Sequence, residues 1–172
     1  MDRAEHALAI AFLNAKGAFE DPVAAGRWWA GARDRAQAFL LAPGSPKPRF
    51  DAGLAAELRT LHQAAREAAA GDSVAPEPAL AALSGGLARG SLKLTGTPPS
   101  LVFSASDGPG AVLFPLAHAV ATLLAANDGR LRRCAGKACA AYFWDGTKNG
   151  SRRWCRLSCM ERARAPRRRL QR

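Results

Sequence analysis

At 172 residues, with 48% hydrophobic and 23% charged side chains, the chain can hold one ordinary core plus a small appended module. It has no apolar run of about 18 residues, which argues against a membrane span and a membrane partner. The formal charge of +11 points instead to a polyanion, and the abundance of alanine favours helices over strands.

The N-terminal ALAIAFLNA is apolar enough for an export signal, yet Asp2 and Glu5 place acid where such a signal carries positive charge, so it reads as core. Leu8, Phe12 and Ala15 fit a helix over 4–15, although AIAFL fits a buried strand as well. Asp21 followed by Pro22 is a helix start, an N-cap and then a proline in the first turn, and the helix is expected to run through Trp28, Trp29, Phe39 and Leu40 until Gly-Ser-Pro-Lys-Pro at 44–48. After Asp51, the spacing of Leu54, Leu58, Leu61 and Ala65 predicts the clearest helix of the chain, with Gly71 as its stop. A shorter helix is expected from Pro76 to Leu87, with Gly85-Gly86 as its end and not a nucleotide loop. SLKLTG at 91–96 and SLVFSA at 100–105 alternate in polarity around Thr-Pro-Pro and predict a hairpin. Asp107-Gly108-Pro109 then opens a long apolar helix over 111–126, closed by Asn127, Asp128 and Gly129.

The expected fold is therefore mainly α with a small β-hairpin: a helical domain over 1–128, then a cysteine-rich module over 129–172. Its four cysteines, Cys134, Cys139, Cys155 and Cys159, are the only ones in the chain. Two close pairs on either side of a turn-containing stretch suit one tetrahedral all-thiolate Zn2+, a structural ion with no open position for water. Disulfides are the competing reading, with an iron–sulfur cluster or free thiols behind it. The missing export signal and the adequate core oppose disulfides and place the protein in a reducing cytoplasm. A knuckle at Cys134 and Cys139, a strand over 141–144 turned by Asp145-Gly146 towards 151–154, and Cys155 and Cys159 at the opening of a helix together predict a treble-clef-like finger. Arg162 lies near the cysteine stripe of that helix and reads as a partner of Asp145 or the thiolates, whereas Arg156, Arg164, Arg167 and Arg168 lie away from it. Pro166 is expected to break the helix near Ala165 and leave 167–172 as a mobile basic tail.

Residues 130–172 carry 14 Lys or Arg against Asp145 and Glu161, a formal +12, which leaves −1 for the rest of the chain. Arginine dominates, and its planar fork suits phosphate and guanine edges. Nucleic acid is the expected partner, DNA ahead of RNA, with Lys148, Arg152, Arg153, Arg156, Arg164, Arg167 and Arg168 as the contacts. The alternative is a zinc-stabilised module that docks on an acidic protein.

The segment RLRRCAGKACAAYFWDGTKNGSRRWCRLSCMERARAPRR resembles the CGNR-type zinc finger, carried by Arg152-Arg153-Trp154-Cys155 with Cys159 downstream, and by Phe143, Asp145, Thr147 and Asn149. The opening LAIAFLNA with Asn14, and DPVAAGRWWA, resemble the ABATE domain that precedes this finger in bacterial proteins associated with stress-induced transcription regulation. The resemblance implies DNA binding. It departs at the name-giving tetrad, which reads Cys159-Met160-Glu161-Arg162 and keeps the ligand and the arginine.

No set of acid, base and nucleophile stands out, since His6, His62 and His118 are widely spaced and read as core or surface residues, so no enzyme is expected. Trp28 and Trp29 are adjacent and cannot face one core together. With Asn14 they form a candidate ligand-binding set. On this reading the first domain senses a small-molecule effector or forms a homodimer.

Overall fold

The computed structural model describes residues 3–35, 44–70, 76–95, 100–127 and 129–169, and divides into two compact units, Met1–Ala125 and Ala126–Arg172. Among the described residues it is mostly helical, with two small two-stranded antiparallel sheets. The expected roles of Phe39, Leu40, Gly71, Thr97-Pro98-Pro99, Asp128 and residues 170–172 lie outside the described residues.

The first unit contains α1 (Arg3–Leu13), α2 (Pro22–Arg35), α3 (Ala52–Ala70), α4 (Glu77–Leu87), the strands β1 (Gly90–Thr95) and β2 (Ser100–Ala105), and α5 (Gly110–Ala125). The strand alternative for the N-terminal run gives way to a helix. Three aspartates start helices as their positions suggest: Asp21 accepts from the Ala24 amide at 2.8 Å, Asp51 from Leu54 at 2.9 Å and Asp107 from Gly110 at 2.5 Å. Each satisfies an amide that has no partner inside its helix.

Helix α5 is buried nearly all round and forms the centre of the unit, against α1, α3 and α4 and the hairpin. It continues through Pro115, which forfeits one backbone donor within a buried helix. Helix α3 buries the stripe Leu54, Leu58, Leu61 and Ala65 that the spacing predicts. Helix α4 packs closely on α5 at Gly86, where a Cβ would stand 2.7 Å from that of Ala117. Gly85-Gly86 thus lies within a helix, and Gly86 serves as a packing surface. Arg89 ties the region together by pairing with Asp107 at 2.6 Å and with Glu57. The hairpin pairs Gly90 with Ala105 through Thr95 with Ser100.

Trp29 is buried, while half-buried Trp28 packs against Phe12 and Phe19 with ring centroids 5.7 and 5.2 Å apart. His62 joins the same cluster. Burial and the neighbouring Arg66 lower its pKa, so its ring stays neutral at pH 7. A separate cleft of about 360 Å3 between α3, α4 and α5 is lined by Glu57, Thr60 and Arg89 among others, and by none of Asn14, Trp28 and Trp29. No helix among the described residues is long and apolar enough to cross a membrane.

Candidate metal centre and its cationic surface

The second unit is built on a short sheet, β3 (Leu131–Arg133) with β4 (Tyr142–Trp144), and on α6 (Leu157–Arg169). Leu131 pairs with Trp144 and Arg133 with Tyr142, so the knuckle that carries Cys134 and Cys139 is the connection between the strands. This corrects the expected hairpin between 141–144 and 151–154. The reason lies in Asp145, fully buried on a small module. Its Oδ1 accepts from the Thr147 hydroxyl at 2.6 Å and amide at 3.0 Å, and its Oδ2 from the Arg152 amide at 2.7 Å. Residues 145–152 wrap around this carboxylate, and the Arg152 amide it takes up is unavailable to a strand partner. Hydrogen bonding from Thr147 holds Asp145 below the ordinary carboxyl range despite burial, with the Arg152 amide and Arg132 acting in the same direction.

The knuckle is closed by the Cys139 amide donating to Gly136 O at 2.8 Å, and anchored by Cys134 donating to Ala141 O at 2.8 Å and Ala135 to Arg153 O at 2.9 Å. Cys155 lies two residues before α6 and Cys159 in its first turn. All four sulfurs come within 4.8 Å of one another. Sulfurs about 2.3 Å from a tetrahedral zinc stand about 3.8 Å apart. The distances from Cys155 Sγ to Cys139 Sγ and to Cys159 Sγ are both 3.7 Å. A disulfide would need about 2.05 Å, and all four cysteines are free. The donor set fits one structural zinc. Cys134, Phe143 and Cys159 are buried beside it, with Cys139, Trp154 and Cys155 packed against them.

Without the ion, burial and the neighbouring thiols push Cys155 up to about 12. Cys159, although burial opposes ionisation, is drawn down to about 7 by hydrogen bonds from Arg156, the neighbouring thiols and Arg162. Four thiolates together need the metal's charge, and binding it displaces protons. The resulting net charge of about −2 is offset by donors around the sulfurs. The Cys155 amide reaches Cys134 Sγ at 3.4 Å, and Arg162 Nη2 reaches Cys159 Sγ at 3.4 Å. This is the thiolate role expected of Arg162, and it explains why an arginine three residues beyond the last cysteine suits the site. Asp145 has other partners. Met160 and Glu161, which occupy the middle of the tetrad, are half-buried and exposed respectively.

Several cations thus serve the fold. Arg130 donates to Asp145 O at 3.0 Å and Thr147 O at 2.8 Å, and Arg132 to Gly129 O at 3.0 Å. Arg152 donates to Trp154 O at 2.8 Å and to Cys155 O, with its guanidinium 5.1 Å from the Phe143 ring centre. Arg156, expected to lie away from the cysteine stripe, is hydrogen-bonded to Cys159, because the turn that opens α6, in which the Cys159 amide donates to Arg156 O at 3.1 Å, brings the two residues together. Arg152 and Arg156 therefore have inward partners, a role invisible in the sequence because most of these acceptors are backbone carbonyls. Arg133, Lys137, Lys148, Arg153 and Arg164 are exposed. Helix α6 runs through Pro166 to Arg169, so the expected break near Ala165 does not occur. A proline removes one donor and crowds one carbonyl, which leaves the flanking turns able to form. Arg167 and Arg168 lie on this helix, and their side chains are outside the described residues.

A family model described as CGNR zinc finger matches residues 130–172, the segment that holds all four cysteines. No curated protein matches the chain.

Proposed function

We propose that the zinc finger binds nucleic acid, DNA in preference to RNA, and that the protein is a bacterial transcription regulator of the cytoplasm. The observation that carries this reading is charge segregation: a formal +12 on residues 130–172 against −1 elsewhere. Arg133, Lys137, Lys148, Arg153 and Arg164 are exposed on a scaffold fixed by zinc. A rigid cationic surface attracts phosphate and holds its side chains in register with it. The zinc is structural, because four thiolates leave no position for a reacting water.

The first unit, in this reading, regulates the second and is not a catalyst. Its resemblance to the ABATE domain supports the assignment. The cleft beside Glu57, Thr60 and Arg89 offers a small-molecule effector both charge signs and a hydroxyl. A homodimer would pair two fingers and favour a symmetric DNA site.

The deciding experiment passes zinc-loaded protein over immobilised DNA and RNA at low salt. Retention, with DNA held to higher salt than RNA, is the expected result. No retention on either, together with capture of one acidic protein, would replace this reading with that of a protein-docking module.

A further inference from the structure

The second unit contains a cleft of about 540 Å3 between the knuckle turn and α6, lined in part by Lys137, Arg153, Trp154 and Arg164 and bordered by the zinc ligands Cys139 and Cys159. Its volume falls within the range of about 300–1,000 Å3 typical of small-ligand sites. Two features define what it suits. Lys137, Arg153 and Arg164 bring positive charge and are exposed. The Trp154 ring supplies an aromatic wall, with the Arg153 guanidinium 5.4 Å from its centre. The small residues Gly136, Ala138 and Ala163 leave the space between these groups open.

A planar aromatic group joined to an anion matches this chemistry, because bases stack on indole rings and on guanidinium planes while phosphate pairs with Lys and Arg. A paired base inside a duplex does not, since both its faces are covered and only its edge is presented. The zinc thiolates would repel a phosphate on the Cys159 side, but Arg162 and Arg156 are bonded to that sulfur and offset its charge.

We propose that this cleft is a nucleotide pocket, which holds one unpaired base together with its phosphate. The inference rests on the nucleic-acid reading above and deepens it: exposed cations on the finger hold any backbone, and the cleft selects strands with a base out of the stack. A free mononucleotide presents the same chemistry and is the other source of ligand.

The test uses the full zinc-loaded chain and three probes: a labelled single strand of about 12 nucleotides, a blunt duplex of the same sequence, and unlabelled dAMP as competitor. The strand should bind at least about fivefold more tightly than the duplex, as stacking of one base implies. The share of that ratio removed by filling the cleft should stay constant as salt rises, because stacking is not screened. Ala163→Leu fills the cleft without changing charge and should bring the ratio close to one. Trp154→Phe, which keeps a ring but offers a smaller face for stacking, should lower it partway, and the zinc content of each variant reports its folding. Equal binding of strand and duplex, with neither altered by Ala163→Leu, would overturn the pocket and leave nucleic-acid binding standing. Binding of dAMP that Ala163→Leu abolishes, with no retention of either polymer, would uphold the pocket and overturn the nucleic-acid reading. Failure of all three probes would overturn both.

Discussion

Neutralising outward-facing cations should change the salt dependence of binding, whereas removing inward-facing ones should change the fold. Arg133, Lys137, Lys148, Arg153 and Arg164 are exposed and, unlike the equally exposed Arg152, Arg156 and Arg162, are not hydrogen-bonded to the carbonyls and sulfurs of the metal centre described above. At about 0.9 counterions per phosphate, five contacts give a slope of log K against log salt of about −4.5 on duplex DNA. Affinity would then fall about 500-fold between about 50 and 200 mM salt. Replacing Arg133, Lys148 and Arg153 together by Gln should reduce the slope to about −1.8 and the fall to about 12-fold. Fluorescence anisotropy at a series of salt concentrations measures both. Arg152→Gln, by contrast, removes donors to Trp154 O and Cys155 O beside the metal, and should weaken zinc retention. An unchanged slope in the triple variant would refute the division of the arginines. So would an Arg152→Gln protein that keeps its zinc and melting temperature but loses slope.

Removing zinc with a strong chelator should unfold the second unit, since a structural zinc contributes on the order of 10 kcal/mol to so small a module. The first unit should keep its helical circular dichroism, and loss of the whole signal would contradict separate folding. Because Cys155 stands at about 12 without the ion, zinc uptake at neutral pH should release protons, and acidification should weaken binding in a competition titration. Gly86→Ala gains about 1 kcal/mol of helix propensity but places a Cβ 2.7 Å from that of Ala117, an overpacking that costs about 1–3 kcal/mol. It should lower the melting temperature, whereas Gly85→Ala, with nothing within 4 Å of its Cβ, should raise it. Asp145→Asn should destabilise the finger at neutral pH. The carboxyl is held below its ordinary 3.8 in the fold, so its contribution is full above that value and is lost as pH falls through the lowered one. The difference between wild type and variant in denaturant melts should therefore shrink in acid.

The zinc ligands and most helices were legible in the sequence because their signals are local. Cysteine pairs chelate from one turn, and Asp21, Asp51 and Asp107 cap the helices that follow them. The β3–β4 pairing was not legible, because its connection is the metal knuckle and so reads as part of the ligand motif. Nor was the loop after β4, where the fully buried Asp145 outweighs the Asp-Gly turn signal that follows from its neighbour alone. The partners of Arg130, Arg132 and Arg152 are backbone carbonyls, which carry no residue-type signature. Pro166 misled for a related reason: its effect on α6 is confined to one donor and one carbonyl.

The loop centred on Asp145 also bears on the order in which the finger assembles. Cys134 and Cys139 come from one turn, and Cys155 and Cys159 from the start of one helix, so each pair can take up the ion as a bidentate half. Joining the halves requires closing the chain between Cys139 and Cys155, and the entropy lost grows with the number of free residues in that span. Contacts from Asp145 to Thr147 and Arg152, and from Arg130 to the carbonyls of Asp145 and Thr147, hold much of the span in place. Because the finger needs zinc to fold, these contacts form as the two halves close on the ion, and each one fixed shortens the free span through which a half-ligated state could reopen.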